Sequence, residues 1–159
     1  MSVLKVLALD PATHMGFAHS CGASGVWDLS VRKDESSGMR LIRLISKLDS
    51  IMEDVGVNLL VYEAVRNARP GMQRALICQS EIQGQIKVWC ERLHVEYRGY
   101  SPSEVKKHAT GKGNAGKEMM IEAARKRWPD KELSDDNECD ALWILDLALS
   151  EYGKREKKS

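Results

Sequence analysis

Acidic residues occupy the ends of two apolar segments and the start of a third. Asp10 follows the apolar residues 3–9, and Glu63 follows the apolar residues 57–62. Asp136 and Asp140 stand four positions apart at the start of an apolar C-terminal segment. A carboxylate beside a buried strand is costly to desolvate unless it meets a cation, and clustered carboxylates repel one another unless a divalent metal is bound. The pattern therefore predicts a carboxylate metal site.

Each acidic residue also has an ordinary interpretation when it is taken alone. Asp10 could be a turn residue, and Asp136 could be an acid favoured by the dipole at a helix start. Glu63 could form a salt bridge with Arg66 or Arg69. Taken together, the acids favour hard oxygen ligation, which selects Mg²⁺ and allows Mn²⁺ to substitute. Two ions about 3.5–4 Å apart would activate a water and stabilise the leaving oxygen in DNA phosphodiester hydrolysis.

Basic residues gather in two stretches of a chain whose net charge is only +1. A nucleic-acid-binding protein usually carries a clear excess of positive charge, so the bulk charge argues weakly against that function. The clustering argues for it, because each phosphate contact adds a salt-dependent increment of affinity. The residues interpreted as DNA-binding are Arg66, Arg69, Arg74, Lys106, Lys107, Lys112 and Lys117. The alternative for each lysine is an ordinary solvated surface residue.

The hydrophobic pattern predicts a single domain at residues 1–153 and a basic flexible tail at 154–159. Strands are predicted at 3–9, from 16, at 25–29, 57–62 and 95–100. Helices are predicted at 38–55, 72–93, 104–109 and 118–127, followed by a C-terminal helix. Short strands joined by tight turns form an antiparallel meander, and the later alternation of helix and strand requires parallel crossovers. The predicted fold class is therefore α/β, a mixed five-stranded sheet of three antiparallel and then parallel strands, flanked by helices.

The helix ends have recognisable signals. Ser101 and Glu104 have the spacing of a capping box, with Pro102 at the first helical position. Ser134 or Asp135 can cap the C-terminal helix. That helix is expected to have one apolar side, formed by Leu142, Leu145, Leu149 and Tyr152.

Several classes of protein are excluded. No apolar run approaches the about 20 residues that a membrane helix needs, and because the chain starts directly with a strand-like pattern, we expect no signal peptide. Cys21, Cys78, Cys90 and Cys139 show neither a CxxC pair nor zinc-ligand spacing, so we expect reduced thiols in a cytoplasmic protein. The glycine-rich residues 110–117 lack the GxxxxGK[ST] spacing of a P-loop, so no nucleotide cofactor is expected.

Four motifs follow one another along the chain. They are Leu7-Ala8-Leu9-Asp10-Pro11-Ala12 with Gly16, then Val61-Tyr62-Glu63, then residues 100–106 with Gly111, Gly113, Ala115 and Lys117, and finally Asp136-Asn137-Glu138-Cys139-Asp140-Ala141-Leu142. Their order and intervals resemble those of the RuvC-like Holliday-junction resolvases, within the ribonuclease H-like superfamily. The resemblance implies an endonuclease that resolves four-way DNA junctions by paired symmetric nicks, in recombination, repair or processing of branched replicating DNA.

The resemblance also implies roles for the acidic residues. Asp10 would bridge two metal ions from the central strand, Glu63 would hold one ion and Asp140 the other. In several family members the residue that assists the last aspartate lies three positions before it, which is Asn137 here. Asp136 lies four positions before it, and on a helix both positions share the face of Asp140. Either Asp136 or Asn137 would therefore complete the metal site.

Partners follow from the same resemblance. Lys117 is the best candidate for a lysine near the scissile phosphate, and the helix at 72–93 would build a homodimer. Two-fold dimer symmetry matches a four-way junction, although plain packing of this helix on the sheet is the alternative. Cellular members carry an aromatic wedge where this chain has Arg66 and Asn67. This departure favours the phage-type branch, and with it the host cytoplasm as the location.

Other functions fit parts of the pattern. A nuclease of the same fold could act on other branched, single-stranded or RNA-containing substrates. A nucleotide-binding domain of the actin type also begins with a strand, Asp and Gly, but it needs two such domains and a longer chain. A catalytically inactive scaffold would have no use for clustered acids. The basic loop at 111–117 and the expected dimer favour the junction endonuclease.

Overall fold

The computed structural model describes residues 3–65, 70–133 and 135–156. These residues form five strands and five helices, in the order β1 (Val6–Asp10), β2 (His14–His19), β3 (Ser24–Asp28), α1 (Gly38–Asp54), β4 (Leu59–Glu63), α2 (Gln73–Leu93), β5 (Glu96–Tyr100), α3 (Pro102–Thr110), α4 (Lys117–Arg127) and α5 (Asp136–Glu156). The strands form one sheet in the order β3-β2-β1-β4-β5. The mixed five-stranded sheet confirms the predicted α/β fold class.

The central strand β1 is buried along its whole length. It pairs with β2 in the antiparallel direction, which places Asp10 opposite Gly16, and with β4 in the parallel direction. β5 pairs parallel to β4 on the far side, which places Glu63 opposite Tyr100. Strands β1, β4 and β5 therefore end at the same edge of the sheet, and two of them end in an acidic residue.

Helices cover both faces of the sheet because side chains alternate along each strand. Val6 and Ala8 of β1 point to the face that is packed against buried residues of α3, α4 and α5. Leu7 and Leu9 point to the opposite face, where they pack with buried residues of α1 and α2. Burial on both faces explains why the central strands read as continuous apolar runs.

The predicted helix caps are present where the structure describes them. Ser101 Oγ accepts a hydrogen bond from the Glu104 N–H at 3.1 Å, and the Glu104 carboxylate accepts one from the Ser101 N–H at 2.7 Å. Asp135 Oδ1 accepts a hydrogen bond from the Asn137 N–H at 2.7 Å, so Asp135 caps α5. The other candidate cap, Ser134, lies outside the described residues.

Three details of the secondary structure differ from the expectations. β2 begins at His14, earlier than the expected residue 16. The expected apolar side of α5 is confirmed at Leu142, Leu145 and Tyr152, which are buried, and is wrong at Leu149, which is 39% exposed. Trp143 and Ile144, which lie outside that side, are buried as well. α5 lies between the sheet and other helices, so its contacts surround most of its circumference. α5 also continues through Glu156, so the predicted flexible tail is helical at 154–156, and 157–159 lie outside the described residues.

The four cysteines are free thiols, as expected. Burial raises the pKa of the Cys90 thiol to about 12 and that of the Cys139 thiol to about 11, so both thiols stay protonated and serve as packing groups at neutral pH. Across the described residues, no helix combines the length and the apolar character that crossing a membrane requires.

Candidate active site

Two carboxylates meet at the edge where the parallel strands end. Asp10 is the last residue of β1 and is only 8% exposed, and Glu63 is the last residue of the neighbouring strand β4. Besides burial, the charge of Glu63 raises the pKa of Asp10, because the two carboxyl groups lie close together at this edge. The parallel pairing of β1 and β4 therefore explains why residues so distant in sequence are in contact.

The first turn of α5 brings two further carboxylates to the same edge. Asp136 and Asp140 lie about one helical turn apart, so both side chains leave the same face of α5. The first turn rests on the sheet at Gly16, where an added Cβ would lie 1.8 Å from the backbone oxygen of Asn137. Because Gly16 pairs with Asp10, this contact fixes the acidic end of α5 next to Asp10.

Burial and mutual repulsion dominate the electrostatics of the acidic cluster. Burial, followed by the charges of Glu63 and Asp140, raises the pKa of Asp10 well above its usual value. Burial, followed by the charges of Glu63 and Asp136, raises the pKa of Asp140 to about 7. Burial also raises the pKa of Glu63, against the lowering effect of the positive charge of Lys106. The cluster therefore holds protons that a bound cation would displace.

The donor set fits a hard divalent cation. Within the described residues, neither Asp10, Glu63 nor Asp140 forms an ion pair with a basic side chain. Buried carboxylates that lack a counter-ion are the ligands that Mg²⁺ and Mn²⁺ prefer. In the same part of the chain, no three acidic, histidine or cysteine side chains already stand at common ligand distance. The carboxylates thus converge without forming a closed cage, and metal binding requires side-chain adjustment.

The structure separates the two candidates for the fourth ligand. The charge of Asp136 acts on both Asp10 and Asp140, so its carboxylate belongs to the acidic cluster. Asn137 instead lines a neighbouring cavity of about 280 Å³, together with Thr13 of the β1–β2 turn, His14 at the start of β2 and Cys78 of α2. The structure therefore favours Asp136 over Asn137 as the residue beside the other three acids.

Two of the predicted lysines border the acidic cluster. Lys106 of α3 lines a cavity of about 440 Å³ with Asp10 and Glu63. Lys117, at the start of α4, places its Nζ 2.9 Å from Asp136 Oδ2 although 79% of its side chain is exposed. The hydrogen bond and the charge of Asp136 raise the pKa of Lys117. Both lysines are placed where a phosphate near the acids would meet them.

The other predicted DNA-binding residues lie farther out or are not described. Lys107 and Lys112 are exposed on and after α3, and Arg74 is exposed in the first turn of α2. None of these three belongs to the residues that line the cavity with Asp10. Arg66 and Arg69 lie outside the described residues.

Some residues near the site gave no signal in the sequence. Gln79 of α2 lines the cavity with Asp10 and donates a hydrogen bond from Nε2 to the Pro11 carbonyl at 3.1 Å. Ser103 of α3 lines the same cavity. An isolated Gln or Ser on a helix has no distinctive pattern, so only the folded structure reveals its position.

A histidine close to the basic segment has a structural contact. His108 of α3 lies with its Nε2 2.8 Å from Asp146 Oδ2 on α5, and Arg127 of α4 contacts the other oxygen of Asp146 at 3.2 Å. Asp146 thus joins the helices that carry Lys106 and Lys117 to the helix that carries the acids. The contact with Asp146 therefore gives His108 a structural role between α3 and α5.

The fold and the acidic cluster together define a class of protein. Acidic residues end two adjacent parallel strands of a five-stranded mixed sheet, and the acidic end of a helix faces them. This is the arrangement of a nuclease domain of the ribonuclease H-like superfamily. The family model described as "Crossover junction endodeoxyribonuclease RuvC" matches residues 14–142. The chain therefore belongs to the RuvC family of crossover junction endodeoxyribonucleases, which are hydrolases.

Solved structures share the fold at low sequence identity. RuvC of T. thermophilus in complex with a Holliday junction substrate superposes with a TM-score of 0.78 at 20% identity, over 97% of this chain and 97% of that chain. A second Thermus thermophilus RuvC structure gives 0.73 at 18% identity, over 96% and 97% of the two chains. The yeast mitochondrial Holliday junction resolvase Ydc2 gives 0.55 at 14% identity, over 89% and 77%. A comparison with curated protein sequences gives no match.

Proposed function

We propose that the chain is a metal-dependent endonuclease that resolves four-way DNA junctions by paired symmetric nicks. The convergence of Asp10, Glu63, Asp136 and Asp140, which leaves three of them without a basic partner among the described residues, carries the proposal. Family membership supports the hydrolytic chemistry. The Holliday junction bound to the T. thermophilus RuvC structure supports the choice of substrate. We infer the same cellular setting as before, namely recombination, repair or processing of branched DNA in the cytoplasm.

The acids would hold the metal ions. Asp10, on the central strand, would hold metal together with Glu63, Asp140 and Asp136. Bound Mg²⁺ would lower the pKa of the attacking water and stabilise charge on the phosphate and the leaving oxygen. The carboxylates would hold the ions in well-defined positions, because a central strand and a packed helix carry them rather than loops.

The two lysines that border the cluster would hold the DNA backbone. Lys106 lines the same cavity as Asp10 and Glu63, so a phosphate entering that cavity meets its ammonium group. Lys117 is exposed enough to turn from Asp136 to a phosphate oxygen. Exposed Lys107, Lys112 and Arg74 would extend the contact along the backbone and make binding dependent on salt.

A homodimer would provide the second cut. Along α2, Ile77 and Val88 are 58% and 44% exposed, and a Cβ added at Gly84 between them would meet nothing within 4 Å among the described residues. At spacings of seven and four residues these three positions lie on one side of the helix. An exposed apolar stripe with a glycine allows close helix approach, and a two-fold pair of α2 helices would present two identical sites to a two-fold junction.

Cleavage of a labelled synthetic four-way junction tests the proposal. Linear duplex, a fork and single-stranded DNA serve as other substrates, with Mg²⁺ or EDTA. We expect symmetric paired nicks in the junction that disappear with EDTA. Asp10→Asn should lose at least about 100-fold in rate, equivalent to about 2.7 kcal/mol of transition-state stabilisation, while it still binds the junction.

The control for Asp10→Asn is a second aspartate on the surface of α1. Asp54→Asn makes the same change at an exposed position on α1, away from the acidic cluster, and should cut normally. Equal cleavage of every substrate would replace junction resolution by a less selective ribonuclease H-like nuclease. Cleavage that survives EDTA or Asp10→Asn would contradict the metal site itself.

A further inference from the structure

A three-residue polar contact ties the acidic end of α5 to the β2–β3 hairpin. Ser24, the first residue of β3, donates a hydrogen bond from Oγ to Glu138 Oε2 at 2.8 Å. Lys131, between α4 and α5, donates from Nζ to Ser24 Oγ at 3.0 Å and to the Gly22 carbonyl at 3.3 Å. We propose that Ser24, Glu138 and Lys131 are positioning residues that set the metal affinity of the acidic cluster. This inference rests on the proposed function.

The placement of Glu138 makes it suitable for this role. It lies midway between Asp136 and Asp140 in the sequence, so its side chain leaves the opposite side of α5. The acidic side of the first turn thus faces Asp10, while Glu138 reaches back to the hairpin. A rotation of α5 that moves the two acids must also break the contact between Glu138 and Ser24.

The hairpin is itself fixed relative to Asp10. β3 pairs with β2 so that Ser24 lies opposite Ala18, and β2 pairs with β1 so that Gly16 lies opposite Asp10. Two links to the same first turn therefore start from this hairpin: the backbone contact at Gly16 and the side-chain contact at Ser24. The contact at Gly16 limits how closely α5 approaches the sheet, and the bond at Ser24 limits its rotation.

The hydrogen bonds at the other end of α5 act on a different turn of the helix. Glu151, near the other end of the helix, accepts hydrogen bonds from Arg98 at 2.6 Å and from Tyr100 at 2.9 Å. These bonds hold the far end against β5 and do not touch the first turn, where Lys117 also pairs with Asp136. Mg²⁺ requires ligand oxygens at about 2.0–2.1 Å in near-ideal geometry, so small rotations of the acidic turn weaken its binding.

Ser24→Ala is the most direct test, because it removes the contact without changing charge. The matched control is Ser20→Ala on the same hairpin, where Ser20 Oγ accepts from the Val6 N–H at 2.9 Å and donates to the Leu4 carbonyl at 3.4 Å, away from α5. Mn²⁺ binding is measured without DNA by titration calorimetry, and Tm is measured in EDTA. We expect Ser24→Ala to weaken Mn²⁺ binding by about tenfold, as is typical when a group that orients metal ligands is removed.

Ser20→Ala should change the Mn²⁺ affinity by less than about twofold at a similar loss of Tm, since its hydroxyl orients no metal ligand. Equal Mn²⁺ affinities of Ser24→Ala and Ser20→Ala would overturn the inference and leave the proposed function intact. Failure of the wild-type protein to bind Mn²⁺ would overturn the proposed metal site and the inference with it. The two failures are therefore distinguishable.

Lys131→Met provides a second test, because the direction of the change in Mn²⁺ affinity distinguishes a positioning role from a charge effect. It also replaces Ser24→Ala if that variant does not fold. Removal of a positive charge near carboxylates tightens cation binding when electrostatics alone acts. Loss of the contact that holds Ser24 weakens binding instead. Weaker Mn²⁺ binding by Lys131→Met supports the inference, and tighter or unchanged binding overturns it.

Discussion

Gly16 and Asn137 are in direct backbone contact, and no side chain fits between them. A Cβ at Gly16 would lie 1.8 Å from the Asn137 carbonyl oxygen and 2.4 Å from its carbonyl carbon. Both obstacles are main-chain atoms of the first turn of α5, which cannot swing aside as the end of a flexible side chain can. The close approach of helix and strand beside Asp10 therefore depends on glycine at position 16.

Gly16→Ala should displace α5 and damage both stability and activity. Overpacking against main-chain atoms costs about 1–3 kcal/mol, which lowers Tm by several degrees in a chain of this size, roughly 2–4 °C per kcal/mol. Metal affinity should fall as well, since Asp136 and Asp140 move with the turn. Thermal unfolding and Mn²⁺ titration measure both effects.

Gly153→Ala is the control for that substitution. Gly153 lies in α5, the helix that Gly16 contacts, and the described residues leave open space where its Cβ would be. Alanine is a better helix former than glycine by about 1 kcal/mol, so Gly153→Ala should leave Tm unchanged or raise it. A Gly16→Ala protein with wild-type Tm and Mn²⁺ affinity would show that the turn can shift at no cost.

The raised pKa values predict how stability depends on pH without metal. The pKa of Asp140 rises from its ordinary value of 3.8 to about 7 on folding. Its contribution to the free energy of unfolding is therefore fully present below the unfolded pKa and is lost as the pH rises through the folded pKa. We expect Tm in EDTA to fall between about pH 4 and about pH 8, because the free energy of unfolding decreases by up to about 1.4 kcal/mol per pH unit for such a group.

Metal and a single substitution should flatten that pH profile. Bound Mg²⁺ would neutralise the carboxylates that lose their protons as the pH rises, so its stabilising effect should grow with pH over the same range. Asp140→Asn removes the titrating group and should reduce the loss of Tm, whereas Asp54→Asn should not. A metal-free protein that becomes more stable as the pH rises from about 5 to about 8 would contradict the sign of the shift.

The ion pair between Lys117 and Asp136 predicts opposite effects on metal binding and on cleavage. Lys117→Met frees Asp136 for a cation, so the protein without DNA should bind Mn²⁺ more tightly. The ion pair is exposed and therefore weak, which limits the gain to about fivefold. Junction cleavage should nevertheless slow, because the ammonium group is no longer available to the phosphate.

Lys112→Met tests whether that effect is specific. Lys112 is exposed and forms no ion pair within the described residues, so its removal should leave the Mn²⁺ affinity near wild type and reduce only the salt-dependent binding of DNA. Equal changes in Mn²⁺ affinity for Lys117→Met and Lys112→Met would show that Lys117 acts only through its positive charge and not through its pairing with Asp136.

The apolar stripe on α2 predicts which substitution prevents dimer formation. Ile77→Asp should shift the protein to a monomer in light scattering and convert paired nicks into single nicks. Ile42→Asp on α1 is the matched control, because Ile42 is 57% exposed against 58% for Ile77. If Ile77→Asp remains dimeric, or if both variants dissociate, α2 is not the dimer surface.

Much of the fold could be predicted because its elements carry local signals. Buried strands, the capping box at Ser101 and the acids at strand ends all follow from short segments. The choice between Asp136 and Asn137 could not be predicted, because both lie on the helix face of Asp140, and the rotation of α5 depends on its contacts with the sheet. The same limit explains the error at Leu149, since a helix surrounded by neighbours has no single apolar side to read.

The carboxylates of the acidic cluster come from segments that are far apart along the chain. Asp10 and Glu63 meet only after the parallel pairing of β1 with β4, and Asp140 joins them only when α5 docks on the sheet. Contacts of such long range form late in folding, because the entropy of closing the intervening loops opposes them. A partly folded chain therefore has no assembled active site, and we expect hydrolysis of DNA only from the fully folded protein.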